Sequence, residues 1–432
     1  MKSTFLGTLY FFIKEDELEQ NIVTTFRKKI KDKRVYMEKS NRFALFLLMF
    51  NIFLTVSGIG LTIPVMPAFL DSFHAGGSDL GFLLALFAFG QFLFSPIAGN
   101  LSDRLGRKIF IIGGLILYGI SFIIFGLASQ IWLLYVARFL TGIGSAFVMP
   151  TIMAYVADVT SVKDRGKGMS LIGAAISFGI TIGPLLGGVL SKVSITFPFF
   201  IAGAISIVAG ILTIFLLPNA TTKEEEAHDS ENIFKQIARS VKTPYFVILV
   251  IIFIYSFGIA NFQSTFSLYL DHRFNYTPTQ LSFILSFGGF VGLILQIFII
   301  NKLFERFGEM KVVLASLILA AVSILLIIFT SGYFLITFVA TLFSIATTFI
   351  RPAINTLVSK LAGREQGFAA GMNNAYMSLG SMIGPILAGN LFDWNMESPY
   401  VFGSIILAIC FGVAFIWSKY KAPQLLKPGH KQ

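Results

Sequence analysis

The chain has 432 residues and a formal net charge of +11, with 55% hydrophobic residues and only 13% charged ones; its mean hydropathy is +0.79. Soluble domains carry about 25% charged residues, so the composition excludes an ordinary soluble enzyme and describes a protein that crosses the bilayer many times. One cysteine, Cys410, excludes an intrachain disulfide, and the four histidines (His74, His228, His272, His430) are scattered. Neither a metal site nor a cofactor is therefore expected.

Residues 1–36 differ from the rest of the chain. Met1 to Ile13 is apolar but too short to span, and Glu15 to Val35 is charged, with Leu18, Ile22, Phe26 and Ile30 at a spacing of four. That stretch reads either as an interfacial helix or, the reading favoured, as an extension ahead of a start at Met37. Twelve apolar runs come next, at 43–67, 80–101, 109–129, 131–156, 167–190, 197–217, 244–270, 281–301, 312–330, 333–358, 366–391 and 399–418. Each is close to the ~20 residues a helix needs to cross ~30 Å of hydrocarbon. The expected fold is an all-α membrane protein of twelve transmembrane helices in two six-helix bundles. The bundles are 37–217 and 244–418, joined by a charged loop at 218–243 (Glu224, Glu225, Glu226, Lys235, Arg239, Lys242) and followed by a tail at 419–432.

Basic residues set the orientation. One set of loops holds Arg104, Arg107, Lys108, Lys302, Arg306, Lys311 and Lys360, whereas the opposite set holds Lys192 and Arg273. Both termini are thus expected in the cytoplasm, and the basic excess is topology rather than a nucleic-acid face. The halves also repeat. Asp103-Arg-Leu-Gly106 recurs as Glu305-Arg-Phe-Gly308 and Phe147-Val-Met-Pro150 as Phe349-Ile-Arg-Pro352, each displaced by 202. Ile182-Gly-Pro-Leu-Leu-Gly-Gly188 recurs as Ile383-Gly-Pro-Ile-Leu-Ala-Gly389, displaced by 201. Such repeats place a substrate site near the bilayer midplane between the halves.

Between the second and third runs lies Gly99-Asn-Leu-Ser-Asp103-Arg104-Leu-Gly106-Arg107-Lys108. This turn resembles the signature loop of the major facilitator superfamily. Leu134-Tyr-Val-Ala-Arg138 and Gly179-x-x-x-Gly183-Pro184-x-x-Gly187-Gly188 resemble two further motifs of that superfamily, the second typical of its drug:proton antiporters. Arg138 reads as a cavity charge or as a structural arginine bonded to carbonyls. The Gly/Pro run is equally explained by tight helix packing. The segments Gly58-Ile-Gly-Leu-Thr-Ile-Pro64-Val-Met-Pro67 and Gln366-Gly-Phe-Ala-Ala-Gly-Met-Asn373 are similar to Gram-positive multidrug efflux transporters of the NorA and Bmr type.

The resemblance implies a secondary transporter that exports amphipathic compounds by alternating access, with a proton as the coupling ion. It implies that Ile63, Phe87, Gln91, Arg138 and Met149 line the cavity. It also implies that Asp158 pairs with Arg107 while Asp103 sits across the two halves, pairs that would hold the cytoplasmic side shut and break on opening. Where such relatives carry carboxylates in the seventh and tenth spans, this chain has Gln263, beside Asn261, and Thr348, beside Arg351. No acid falls in the middle of a run, so a proton would have to use Asp103 or Asp158 on one side, or Asp71 or Asp271 on the other. Arg138 and Arg351 are expected to face the cavity at similar depth. No nucleophile–base pair or nucleotide loop points to an enzyme or a primary pump. The alternative is a facilitator or importer of a polar metabolite, or an exporter of a lipid or metabolite with other coupling. The expected partners are a small-molecule substrate and the bilayer, with no nucleic acid; the expected state is a monomer in the plasma membrane.

Overall fold

In hydrocarbon each backbone N–H and C=O must be satisfied within its own segment, which leaves the helix as the solution for an isolated apolar run. The computed structural model describes residues 43–160, 165–218, 233–363 and 365–420, and among these there is no strand. The helices are α1 (Phe43–Thr62), α2 (Met66–Asp71), α3 (Gly77–Leu105), α4 (Arg107–Leu127), α5 (Ile131–Val159), α6 (Arg165–Leu190), α7 (Phe197–Leu216) and α8 (Ile233–Ser240). Then come α9 (Phe246–Phe274), α10 (Pro278–Phe298), α11 (Ile300–Phe307), α12 (Glu309–Phe329), α13 (Tyr333–Ala362), α14 (Gln366–Trp394) and α15 (Ser398–Tyr420). Residues 1–42 and 421–432 lie outside the described part, and so does the question of an extension before Met37.

Each of the twelve expected spans corresponds to a long helix, with local corrections. The first ends at Thr62, not 67: Pro64 cannot donate to a helical ladder, the amide of Ile63 turns back to the Gly60 carbonyl at 3.2 Å, and α2 starts afresh with Pro67 in its first turn. The eighth starts earlier, at Pro278, because Thr277 and Gln280 form a capping box. It breaks at Ile299, and the short α11 carries Lys302 and Arg306. The central loop contains a helix of its own, α8. Among the described residues eleven helices are long and apolar enough to cross a membrane. The other long helix, α14, has 29 residues, but Gly371, Asn373, Asn374, Gly380, Gly384 and Asn390 dilute its hydropathy.

Within the first half α4 packs on α5 and α7, and α3 on α5; within the second, α12 packs on α13 and α15, and α9 on α14 and α15. The repeat is visible in the backbone. Gly106 (φ 100) and Gly308 (φ 78) stand 202 residues apart, each between the end of one helix and the start of the next, in a region that disfavours any side chain. The packing inside a bundle is close because lipid offers no hydrophobic drive between helices. A Cβ on Gly183 would strike the Ser57 carbonyl, and one on Gly384 the Phe257 carbonyl.

The halves meet through α3 against α14 and α6 against α10. At the end opposite the basic loops this contact is tight. Asp393 of α14 accepts from the amides of Gly77 (2.7 Å) and Ser78 (2.8 Å) at the start of α3. Thr279 of α10 donates to the Gly188 carbonyl of α6 at 3.1 Å. Asp71, at the end of α2, lies 3.9 Å from His272 of α9 at the same end. Toward the basic end the same helices part: a Cβ on Gly99, Gly173 or Gly371 would meet nothing within 4 Å. Among the described residues the halves are joined at one end and apart at the basic one.

Candidate substrate cavity and gate

The expected cavity walls lie on α3 and α5 in one half and on α9, α13 and α14 in the other. Gln91 of α3 reaches across to α5, where its amide donates to the Ser145 hydroxyl at 3.1 Å and meets the Met149 sulfur at 3.8 Å. Phe87 and Met149 are half-buried. The Phe87 carbonyl is held against Gly142 of α5, where a Cβ would strike it. Ile63 is half-buried in the break between α1 and α2, near the closed end. These four residues stand on or beside one wall.

The second wall is polar. On α13, Ser344, Thr348, Arg351 and Asn355 recur at spacings of four, three and four, which is one helix face. Thr348 donates to the Ser344 carbonyl at 2.8 Å, and the two hydroxyls lie against Gly292 and Gly288 of α10. Asn355 accepts from Asn373 of α14 at 2.9 Å. Tyr255 of α9 donates to the Thr347 carbonyl at 3.1 Å. Arg351 is exposed and has no ion-pair partner among the described residues. Gln263 is exposed on α9, the one exposed position between Asn261 and Leu270.

Arg138 and Asn261 are buried within their own bundles. Arg138 is 3% exposed, with its guanidinium 4.8 Å from the Phe125 ring of α4, and its Nε and Nη2 have no acceptor among the described residues. It faces the interior of the first bundle. Nor does it share the depth of Arg351: by the 202 displacement Arg138 corresponds to Ala340, eleven residues from Arg351, or ~16 Å along the helix. Asn261 is fully buried and turns to the back of its bundle, where its Oδ1 approaches Gly403 of α15. Neither of its side-chain amide atoms has a hydrogen-bond partner among the described residues.

At the basic end, Arg107 is the hub of a small network. It pairs with Asp103, contacts Asp158 at 3.2 Å and donates to the Ser102 hydroxyl at 2.8 Å. Arg104 is exposed and Gly99 faces open space. All members of the network belong to α3, α4 and α5. It ties α3, α4 and α5 of the first bundle together. Gly183 and Pro184 of α6 pack on Ser57 and Gly60 of α1, consistent with close helix approach. No described Asp, Glu or His lies in the middle of a long helix, and no group of described residues could hold a metal.

Sequence reasoning missed the gate at the closed end. The local signal was present: Gly76-Gly-Ser-Asp79 reads as a helix start, and Asp79 does take the Gly76 amide at 3.0 Å. The cap from Asp393 comes from 315 residues away and had no local signature.

Residues 48–255 and 248–432 match the Major Facilitator Superfamily, one match to each half. The chain belongs to that superfamily. It is 39% identical over 393 residues to Multidrug resistance protein 1 of Bacillus subtilis (strain 168), covering 90% of this chain and 99% of the relative. It is 36% identical over 356 residues to the quinolone resistance protein NorA of Staphylococcus aureus, covering 82% and 91%. In structure it is similar to a bacterial homologue of the human lysosomal transporter Spinster in its inward-facing, unoccupied conformation. The TM-score is 0.72 at 15% identity, covering 90% of this chain and 99% of the other, a likeness of fold. The chain is a multi-pass membrane transporter and not an enzyme.

Proposed function

We propose that the chain is a monomeric exporter of small amphipathic compounds in the plasma membrane, working by alternating access as a proton antiporter, with both termini cytoplasmic. The observation that supports this reading is the cross-half cap at one end together with the open space beside Gly99, Gly173 and Gly371 toward the basic end. With the basic end cytoplasmic by the positive-inside rule, this is an inward-facing state ready to load from the cell interior. The half-buried Phe87 and Met149 suit varied apolar bodies, since thioether and aromatic side chains adapt in shape. The relatives named for multidrug and quinolone resistance favour the same cargo class.

Proton coupling is routed through the ends of the helices. Asp103 and Asp158 share Arg107 on one side, and Asp71 faces His272 on the other. The test is norfloxacin uptake into everted vesicles under an imposed proton gradient. Gradient-dependent uptake, lost on adding a protonophore, is expected; uptake without any gradient dependence would replace antiport by facilitation. The absence of mid-span carboxylates favours the second reading, a facilitator for a polar metabolite. Growth of a deletion strain on candidate nutrients, set beside its drug susceptibility, separates the two.

A further inference from the structure

The two halves repeat, but their cavity faces do not. The α13 face of Ser344, Thr348, Arg351 and Asn355 corresponds, by the displacement of 202, to Gly142, Ala146, Met149 and Met153 on α5. One stripe is thus cationic and hydrogen-bonding, and its counterpart in the other half is small and thioether-rich. Met153 is 38% exposed, and Arg351 and Asn355 are both exposed. These three side chains are therefore open to a ligand in this state. The Arg351 face does not look into lipid. Its neighbours along the stripe contact α10 and α14, while the outward residues of α13 are Phe334, Leu335 and Phe338. A guanidinium at membrane depth without an anionic neighbour is costly, and no described carboxylate stands within the middle of the long helices to neutralise it.

We propose that the cavity binds amphiphiles carrying a carboxylate or another anionic group. The anion docks on Arg351 and Asn355 of α13, and the apolar body lies against Met149 and Met153 of α5. Arg351 presents a forked set of donors that matches a carboxylate. The Asn355 amide adds a donor one turn along; its Oδ1 is already occupied by Asn373, which turns its NH2 outward. The N-terminal wall supplies contact area without charge. In this arrangement a neutral or zwitterionic compound is carried less well than an anion of the same shape, and a lone cation is disfavoured.

This inference rests on the export reading for its transport arm, while its binding arm stands alone. The probes are dansyl-phenylalanine, an anion at neutral pH, and its methyl ester, which keeps the apolar body and lacks the charge. Binding is read as dansyl fluorescence with the full chain in phosphatidylcholine nanodiscs, with empty nanodiscs subtracted. The parent is expected to bind the acid at least tenfold more tightly than the ester. Arg351→Met, which installs the residue of the opposite half, should abolish that preference while leaving ester binding within about twofold. Arg351→Lys should retain most of it, because charge is kept and only the fork is lost. Equal binding of acid and ester by the parent, or an acid preference that survives Arg351→Met, overturns the assignment. Transport of both probes in proteoliposomes separates the two readings. Acid-selective binding without transport overturns export and leaves the anion site standing. Transport with no acid preference leaves export standing and overturns the site.

Discussion

The cap at the closed end makes a quantitative prediction. Asp393 places one carboxylate oxygen on the Gly77 amide at 2.7 Å and the other on the Ser78 amide at 2.8 Å, at the positive end of the 29-residue α3. Asp393→Asn keeps the shape and one acceptor oxygen, but removes the second acceptor and the charge. A hydrogen bond to a charged group is worth roughly 1.5–3 kcal/mol, and a charge at a helix N-terminus roughly 0.3–1 kcal/mol. Asp393 is exposed, so solvent screening sets the net effect near the lower end, about 1–2 kcal/mol. The cap crosses between the halves and must break for that end to open. Its loss therefore shifts the equilibrium between the two open states by roughly 5- to 30-fold toward opening at the α3 N-terminus. Spin labels on Ser194→Cys and Met396→Cys, one in each half at this end, read the change as a longer population in a double electron–electron resonance distance distribution. Identical distributions for the parent and the Asp393→Asn variant would refute the claim that this cap holds the end shut.

Other contacts carry predictions of their own. Gly142→Val drives a side chain into the Phe87 carbonyl, an overpacking of roughly 1–3 kcal/mol; detergent-solubilised protein should lose several degrees in its thermal transition, while Gly113→Ala, where a Cβ meets nothing within 4 Å, should not. Arg107→Ala removes the hub shared by Asp103 and Asp158; transport should slow several-fold with substrate affinity changed by less than about twofold, and weakened binding with unchanged turnover would contradict a role far from the cavity.

The elements were legible where their signals are local. Runs nearly free of charge gave the long helices, and Thr277 with Gln280 marks a start that reading apolar content alone placed three residues late. The repeat was legible too, and Gly106 and Gly308 show why: both loops need a residue free to take positive φ. The direction in which a polar side chain points was not. Arg138 and Arg351 look alike as lone arginines in apolar runs. One turns into its own bundle, where Phe125 offers a π face, and the other stands on a polar stripe. The repeat register held the clue for depth, since Arg138 and Arg351 are not equivalent positions. Asn261 taught the same lesson, because α9 is buried nearly all round and its polar residues serve both its front and its back. The Asp393 cap depended on a contact between halves, which no window of sequence contains.

Gln263 tests whether charge in the cavity is set residue by residue. It lies eight residues beyond Tyr255 on α9, and Arg351 lies four beyond Thr347 on α13, with Tyr255 and Thr347 bonded to each other. The two helices run in opposite directions, so the axial separation of Gln263 and Arg351 is ~12 Å plus ~6 Å, or ~18 Å. At that distance a Gln263→Glu carboxylate and the Arg351 guanidinium attract by only about 1 kcal/mol at an effective dielectric near 20, too little to close into a pair across the cavity. The introduced carboxylate should therefore act as a separate cation point. Ethidium should bind more tightly to the variant than to the parent, while the acid-over-ester preference assigned to Arg351 persists. The sign with pH is fixed as well. Only the charged form of the introduced carboxyl attracts the dye. The gain in ethidium affinity should be small at acid pH and grow as the pH rises through its titration. A titration of ethidium polarisation between pH 5 and pH 8, with parent and variant side by side, reads this directly. If Gln263→Glu strengthens ethidium binding equally at every pH in that range, the new group is solvated like a surface acid and Gln263 is outside the cavity. If it removes the acid preference altogether, the two sites are not separate and the ~18 Å geometry fails.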